Sequence, residues 1–484
     1  MPSFTAFALS LFFVSVAHGI PFNPLHHSGP ASPYFDAPSQ FGISKETPEG
    51  CVVDQAAYIL RHGSRYPEPG SYTGWQDLYN KFQNHTYSAR GPLKFISSWV
   101  PPIDDEDHQP LYLSSTGAGE AFALGVDLRK RYKFTPGGEN FTAWSAGQQR
   151  CVDTTTYFLR GYLSQGNYIN DTNSNRGYIV TLPDSVNDTY ADSLTTSASC
   201  PAYSNASNGS AISTAYRALY QSTMAERLNQ FLEGDLVLDA TDVGVMGDLC
   251  GFLYEVSGDR RFCDVFEESE WLDYEYAHDL NYYYGSGPGN ALSATVGYSW
   301  VKAISDLFEV GPNNTVEGGT VVPPPLIMGF THDNNLPPII SALGLWNTSN
   351  SGIYPLSKTQ RRPDRMFRSS YLVAFRGYVA LERLACSTGN SSDTVYHVAN
   401  QTTATGHESV YVRVRVNSAP VPIPGCAYGP GSMCPLDHFV SYVNVDMKAV
   451  AGDFGERCGL EESVDTLQFL TQDSDSYGHQ IVSI

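Results

Sequence analysis

The sequence predicts an α/β fold in which both ends of the chain build one domain and the middle supplies a mainly helical insertion. Three observations lead there. Three distant segments share one plan: an apolar strand, a short charged turn, then a helical pattern. Helical spacing and Gly/Pro punctuation fill much of the stretch between them. Hydrophobic residues at 42% and aromatics at 13% supply a large core for 484 residues. The layout assigns 1–19 to a leader, 20–48 to an N-terminal arm, 49–134 and 301–484 to the α/β domain, and 135–300 to the insertion.

The leader is the apolar run "MPSFTAFALSLFFVSVAHG", whose Ala17 and Gly19 suit a cleavage site. It is too short for a membrane span, no Lys/Arg cluster follows it, and the reading is a cleaved secretory signal. Residues 20–48, rich in Pro, Ser and His, read as an extended arm. From Cys51, "CVVDQAAYIL" reads as a buried strand. Ala121, Gly125, Leu128 and Tyr132 recur on one face of a helix over 115–132, with basic residues near its C-terminus. "NFTAWSAGQQRCVDTTTYFLRGYL" is the second strand–turn–helix segment, and Arg150 opens its helix. Residues 163–212, dense in Asn, Ser and Thr, read as exposed loops. "STAYRALYQSTMAERLNQFLEG", 213–234, reads as one helix stopped by Gly234. The third segment runs from the strand "LIMGF" through His332 and Asp333 to a helix near Pro337, whose fixed φ suits a first turn.

Charge and cysteine usage narrow the function classes. A formal charge of −21 argues against nucleic acid, whose phosphates need a broad basic face. It also points to a working pH on the acid side. Ten N-x-S/T sequons, at Asn84, Asn140, Asn170, Asn187, Asn205, Asn208, Asn313, Asn347, Asn390 and Asn400, predict N-linked glycans. Nine cysteines in a secreted chain imply disulfides and one thiol left over. Around a Gly/Pro turn, "CAYGPGSMC" brings Cys426 and Cys434 together. No C-x-x-C pair and no H-E-x-x-H occurs, so no metal or other cofactor is expected. Nor is there a G-x-S-x-G elbow for a serine hydrolase. No later segment is apolar enough to span a bilayer or anchor a lipid, and a homo-oligomer stays open.

Against this acidity, "YILRHGSRYPEPG" concentrates Arg61, His62 and Arg65 at the end of an apolar run. In open α/β sheets ligands bind beyond the carboxyl ends of strands. Three such ends would gather Arg61, His62, Arg65, Arg150, His332 and Asp333 in one cleft. Taken singly, an arginine suits a surface ion pair, and His332–Asp333 suits a turn cap. Together they are cations with a single carboxylate, an imbalance that burial penalises by several kcal/mol per ion. A bound oxyanion resolves it, and arginine forks match phosphate.

On these residues the chain resembles the histidine acid phosphatase family, in particular its fungal secreted branch of acid phosphatases and phytases. The signature R-H-G-x-R-x-P stands as Arg61-His62-Gly63-Ser64-Arg65-Tyr66-Pro67, and the distal H-D pair as His332-Asp333. The likeness extends through "LSSTGAGEAFALGVDLRKRY", "HDLNYYYGSGPG", "LERLAC" and "GCAYGPGSMCPLDHF". It implies a mixed sheet flanked by helices with a helical insertion, as in phosphoglycerate-mutase-like folds. It implies a secreted, extracellular acid phosphomonoesterase. His62 would be the nucleophile of a phosphohistidine step and Asp333 the general acid. Arg61, Arg65, Arg150 and His332 would hold the phosphoryl group. The resemblance also pairs Cys51 with Cys386, Cys200 with Cys458, Cys250 with Cys263 and Cys426 with Cys434, leaving Cys151 where the family has a small aliphatic residue. An inert buried thiol is expected there.

Substrate choice is less legible. A phytate specialist would benefit from a lysine-rich rim, and the chain has eight lysines. The acidic stretch "EESEWLDYEYAHDLNYYY" is either a mouth that admits polyanions only at low pH or a solvated face elsewhere. Small phosphate monoesters, with phytate at acid pH, are the expected substrates. The alternative is an inactive phosphate- or glycan-binding glycoprotein of the same fold.

Overall fold

The computed structural model describes residues 21–134, 141–164, 177–184, 192–312, 314, 322–346, 353–387, 408–461, 467–471 and 479–482. The leader and seven of the ten sequons lie outside the described residues. Among those residues no helix is long and apolar enough to cross a membrane.

A mixed sheet organises the molecule. Its strands are β1 (Cys51–Arg61), β2 (Phe141–Ala146), β3 (Gly177–Leu182), β4 (Leu326–Thr331), β5 (Tyr378–Ser387), β6 (Glu408–Val416), β7 (Ala419–Val421), β8 (Cys434–Pro435) and β9 (His479–Val482). The spatial order is β8-β6-β5-β1-β4-β2-β3-β9, with β7 paired to β6. The middle four, β1, β4, β2 and β3, run parallel, and antiparallel strands extend the sheet on both sides. Parallel strands need both faces covered, and β1 shows it. Ala56, Tyr58 and Leu60 pack on one face with Leu124, Leu128, Phe158 and Tyr162. Ala57 and Ile59 enter the opposite core with Val301, Ile304, Ile339 and Ile340. Each such aromatic or aliphatic side chain taken from water contributes about 1.5–3 kcal/mol.

Helices α1 (Pro69–Asn84), α2 (Ser115–Tyr132) and α3 (Gln149–Leu163) follow β1 and β2. Then come α4 (Gly209–Arg217), α5 (Gln221–Asn229), α6 (Ala240–Ser257), α7 (Glu268–Gly285), α8 (Ser293–Val310) and α9 (Leu336–Ala342). A separate core joins Trp75 of α1, Met224 and Leu228 of α5, Met246 of α6 and Trp271 of α7.

Four expectations need correction. The insertion does not begin at 135: β2 and β3 are central strands, because Trp144 and Val180 continue the buried apolar face that β1 and β4 start. For the same reason 163–212 holds a buried strand at Gly177–Leu182 rather than loops alone. The single helix over 213–234 is two, α4 and α5, with Leu232–Gly234 as a short strand. The break falls at 218–220 because Tyr216 faces one core while Met224, Ala225 and Leu228 face the other. The N-terminal arm includes two short 3-10 turns, Pro24–His27 and Gly29–Ala31, with Leu25, Ser28 and Ala31 buried.

The structure holds the four disulfides that the resemblance implied: Cys51–Cys386, Cys200–Cys458, Cys250–Cys263 and Cys426–Cys434. The first links directly paired residues of β1 and β5. Cys151 is free and buried.

Candidate active site

The carboxyl ends of β1, β2 and β4 lie side by side, because β4 pairs with both of the others. β1 ends on Arg61, and the chain turns through His62–Arg65. Gly63 is required there. A Cβ on it would stand 2.8 Å from the Gly117 carbonyl oxygen, so the loop can lie on the first turn of α2 only without a side chain. β2 leads through a turn to Arg150 in the first turn of α3. Thr154, one turn on, accepts the Gly63 N–H at 3.0 Å and fixes the helix against the loop. β4 delivers His332 and Asp333.

All six expected site residues meet. Arg61 reaches Asp333 at 3.0 Å, Arg150 donates to His332 Nδ1 at 3.3 Å, and the rings of His62 and His332 are 5.8 Å apart. The supports are specific. Arg61, 1% exposed, donates to the Val373 and Pro30 carbonyls and lies over the Phe375 ring at 4.3 Å. Arg65 donates to Glu68 at 2.8 Å and to the Tyr66 carbonyl. Buried Nε donors of Arg61, Arg65 and Arg150 have no acceptor among the described residues. Such donors suit an oxyanion.

Hydrogen bonds also set the imidazoles. His62 Nδ1 lies 2.9 Å from the Gly63 carbonyl, which can only accept. The hydrogen therefore sits on Nδ1, and the Nε2 lone pair is free. His332 Nδ1 accepts from Arg150, which turns Nε2–H toward Asp184 at 3.6 Å. Burial, then the charges of Arg61, Arg65 and Arg150, hold the His62 ring well below the usual imidazole range. This favours the neutral, nucleophilic form of the ring toward lower pH. Burial works to raise the Asp333 carboxyl. Arg61, Arg65, the Tyr282 hydroxyl and His332 outweigh that and leave it below the ordinary value. Burial also pushes the Cys151 thiol far up, which makes it a poor thiolate although it lies 3.6 Å from His332 Nδ1.

Sequence reading missed Thr154, Asp184 and Tyr282, the last donating to Asp333 at 2.9 Å from α7. Tyr282 belongs to a run of three tyrosines, and nothing in the run marks which one turns inward. The acidic rim is overturned. Glu275 and Asp279 are buried against Arg365, with Arg368 also on Glu275, while Glu270 pairs with Arg227 and Asp273 with Arg361. Glu275 and Asp279 thus face their own cations inside the fold and not a substrate mouth, while Glu267 and Glu268 at the start of the stretch are exposed.

Comparison with known proteins decides the family. Residues 52–417 match the histidine phosphatase superfamily (branch 2). This chain belongs to that superfamily. It is 30% identical to an acid phosphatase of Komagataella pastoris, over 91% of this chain and 88% of that protein. It is 28% identical to a phytase of Candida albicans, with the same coverage of each chain. In structure it is similar to the phytase from D. castellii, with a TM-score of 0.77 at 23% identity, covering 94% of this chain and 92% of the other. The family and these relatives make it a phosphoric monoester hydrolase built on the histidine phosphatase fold.

Proposed function

We propose that this phosphatase is a secreted acid phosphomonoesterase that works through a phosphohistidine on His62. One arrangement carries the reading: an imidazole with its Nε2 free stands among three arginines whose buried Nε donors lack acceptors. His62 Nε2 attacks phosphorus and forms the P–N bond as the ester P–O bond breaks. Asp333 gives its proton to the leaving oxygen. Water then attacks the phosphohistidine, Asp333 takes back a proton, and the P–N bond returns its electron pair to Nε2. Two displacements give net retention at phosphorus. Arg61, Arg65, Arg150 and His332 hold the equatorial oxygens, and positioning with electrostatics is most of what phosphoryl transfer needs.

The acid requirement follows from Asp333. Its carboxyl is held low by Arg61 and Arg65, and a bound dianion offsets their pull, so the proton returns with substrate. Phytate is included as a substrate at acid pH, with support from the phytase relative in Candida albicans. With eight lysines in the chain, phytate is one ester among several. Secretion is supported by the leader, the four disulfides and the sequons, of which Asn84, Asn205 and Asn208 are exposed.

The decisive experiment is His62→Ala, with rapid quench and mass spectrometry. The wild type should carry a phosphoryl group on His62 during turnover, and the folded variant should carry none and turn over nothing. Turnover surviving in the variant would sink the assignment.

A further inference from the structure

Directly beneath the phosphate loop lie two carboxyl groups that the mechanism does not use. The Ser64 hydroxyl, between His62 and Arg65, is 2.5 Å from Glu255 Oε2 and 2.9 Å from Glu120 Oε2. Glu255, from the last turns of α6, is 1% exposed, and Glu120, from α2, is half-buried. A hydroxyl has one hydrogen and can donate to one carboxylate only. The second contact needs its hydrogen from the carboxyl side. With both groups ionised, one buried oxygen pair would be repulsive and two negative charges would share one site.

The neighbours say which group carries the proton. The charged groups facing the pair are the two glutamates themselves and Arg376, from the turn before β5. Elsewhere on α6, Asp242 takes Lys81 from α1, and Asp248 takes the Tyr274 hydroxyl from α7. The arm packed on α6 brings His26 and His27; His26 stacks on Phe35 and His27 is engaged by Glu275. Glu255 is the deeper group and makes the shorter contact. Burial, then the Glu120 charge, pushes its carboxyl up to about 7.

The pair acts where loop and α6 meet. Phe252, one turn before Glu255, lies 5.8 Å below the Arg65 guanidinium and 5.6 Å from Phe375. Phe375 in turn supports Arg61 and packs against His62. We propose that Glu255 keeps a proton that it shares with Ser64 and Glu120, and that this shared proton holds the loop bearing His62 and Arg65 in its working shape. Its loss toward neutral pH releases the loop from α6 and lowers turnover. Glu255 is a positioning residue acting through Ser64, an inference that rests on the reading of this loop as the active site.

The test is Glu255→Gln, which keeps an N–H for Ser64 and cannot ionise, with Glu255→Ala beside it. At pH 5 the alanine variant should lose kcat toward an aryl phosphate, and glutamine should restore it. Between pH 5 and 7.5 the wild type should lose about fourfold through this one group, and Glu255→Gln should be spared that loss. Stability follows the same sign. A carboxyl raised in the folded state stabilises below its unfolded pKa and loses that contribution as pH rises through about 7. The wild-type melting temperature should therefore fall more between those pH values than that of Glu255→Gln. An infrared difference spectrum at pH 6 should show a neutral carboxylic acid in the wild type and in His62→Ala, but not in Glu255→Gln. The His62→Ala spectrum separates the two ideas, since it reads the proton without activity. Superimposable pH profiles for wild type and Glu255→Gln, or no neutral carboxyl in the wild type, would overturn the proposal.

Discussion

Two buried arginine clusters in this molecule look alike in composition and differ in balance. In the first, Arg365 and Arg368 meet Glu275 and Asp279. Arg365 binds both carboxylates, Arg368 reaches Glu275 at 2.8 Å, and Ser369 donates twice to Asp279. Cations and anions match, and the cluster ties α7 to the segment before β5. In the second, Arg61, Arg65, Arg150 and His332 share Asp333, the exposed Glu68 and the half-buried Asp184. Here guanidinium donors are left over. The first cluster closes its own charge and the second, at the strand ends, does not. Desolvated donors without acceptors cost free energy that folding alone gives no reason to keep.

The comparison can be broken from either side. Arg365→Met should cost about 3–5 kcal/mol of stability, because two buried carboxylates lose their common partner. Denaturant unfolding reads this, and activity per folded molecule should change far less. Arg150→Ala should do the reverse. Loss of one donor to the transferring group should lower kcat/KM about 10²–10³-fold, some 2.7–4 kcal/mol, with a small change in melting temperature. Inorganic phosphate should sharpen the contrast. At 100 times its Kd it should stabilise the wild type by about 2.7 kcal/mol, and Arg150→Ala should show much less of that gain. The smallest effect belongs to Cys151. Thiol reagents should leave native activity intact, and Cys151→Ala should cost on the order of 1 kcal/mol, because its thiol is buried and stays protonated.

Much of the site was legible before any coordinates, because strand ends announce themselves. "AAYILR" and "LIMGF" are apolar runs that stop at charge, and both are central parallel strands. Helix 115–132 came out with its expected bounds, since its spacing is regular and its Ser114 cap and basic last turn agree. What stayed hidden depends on partners distant in sequence. The 213–234 helix splits because its halves face different cores, a fact absent from local spacing. The carboxylates of α7 read as a surface because the sequence does not say that Arg365 and Arg368 return to meet them. Tyr282 reaches Asp333, and Glu255 reaches the loop through Ser64, from helices with no motif to mark them.

The position of β4 between β1 and β2 has a consequence for biosynthesis. His62 leaves the ribosome early, but its neighbours cannot close around it until residues 326–333 have emerged. A nascent chain is thus catalytically silent through most of its own translation, and chains arrested before Leu326 should release no phosphate from an aryl ester. The cell is spared a premature hydrolase by nothing more than the order in which adjacent strands are made.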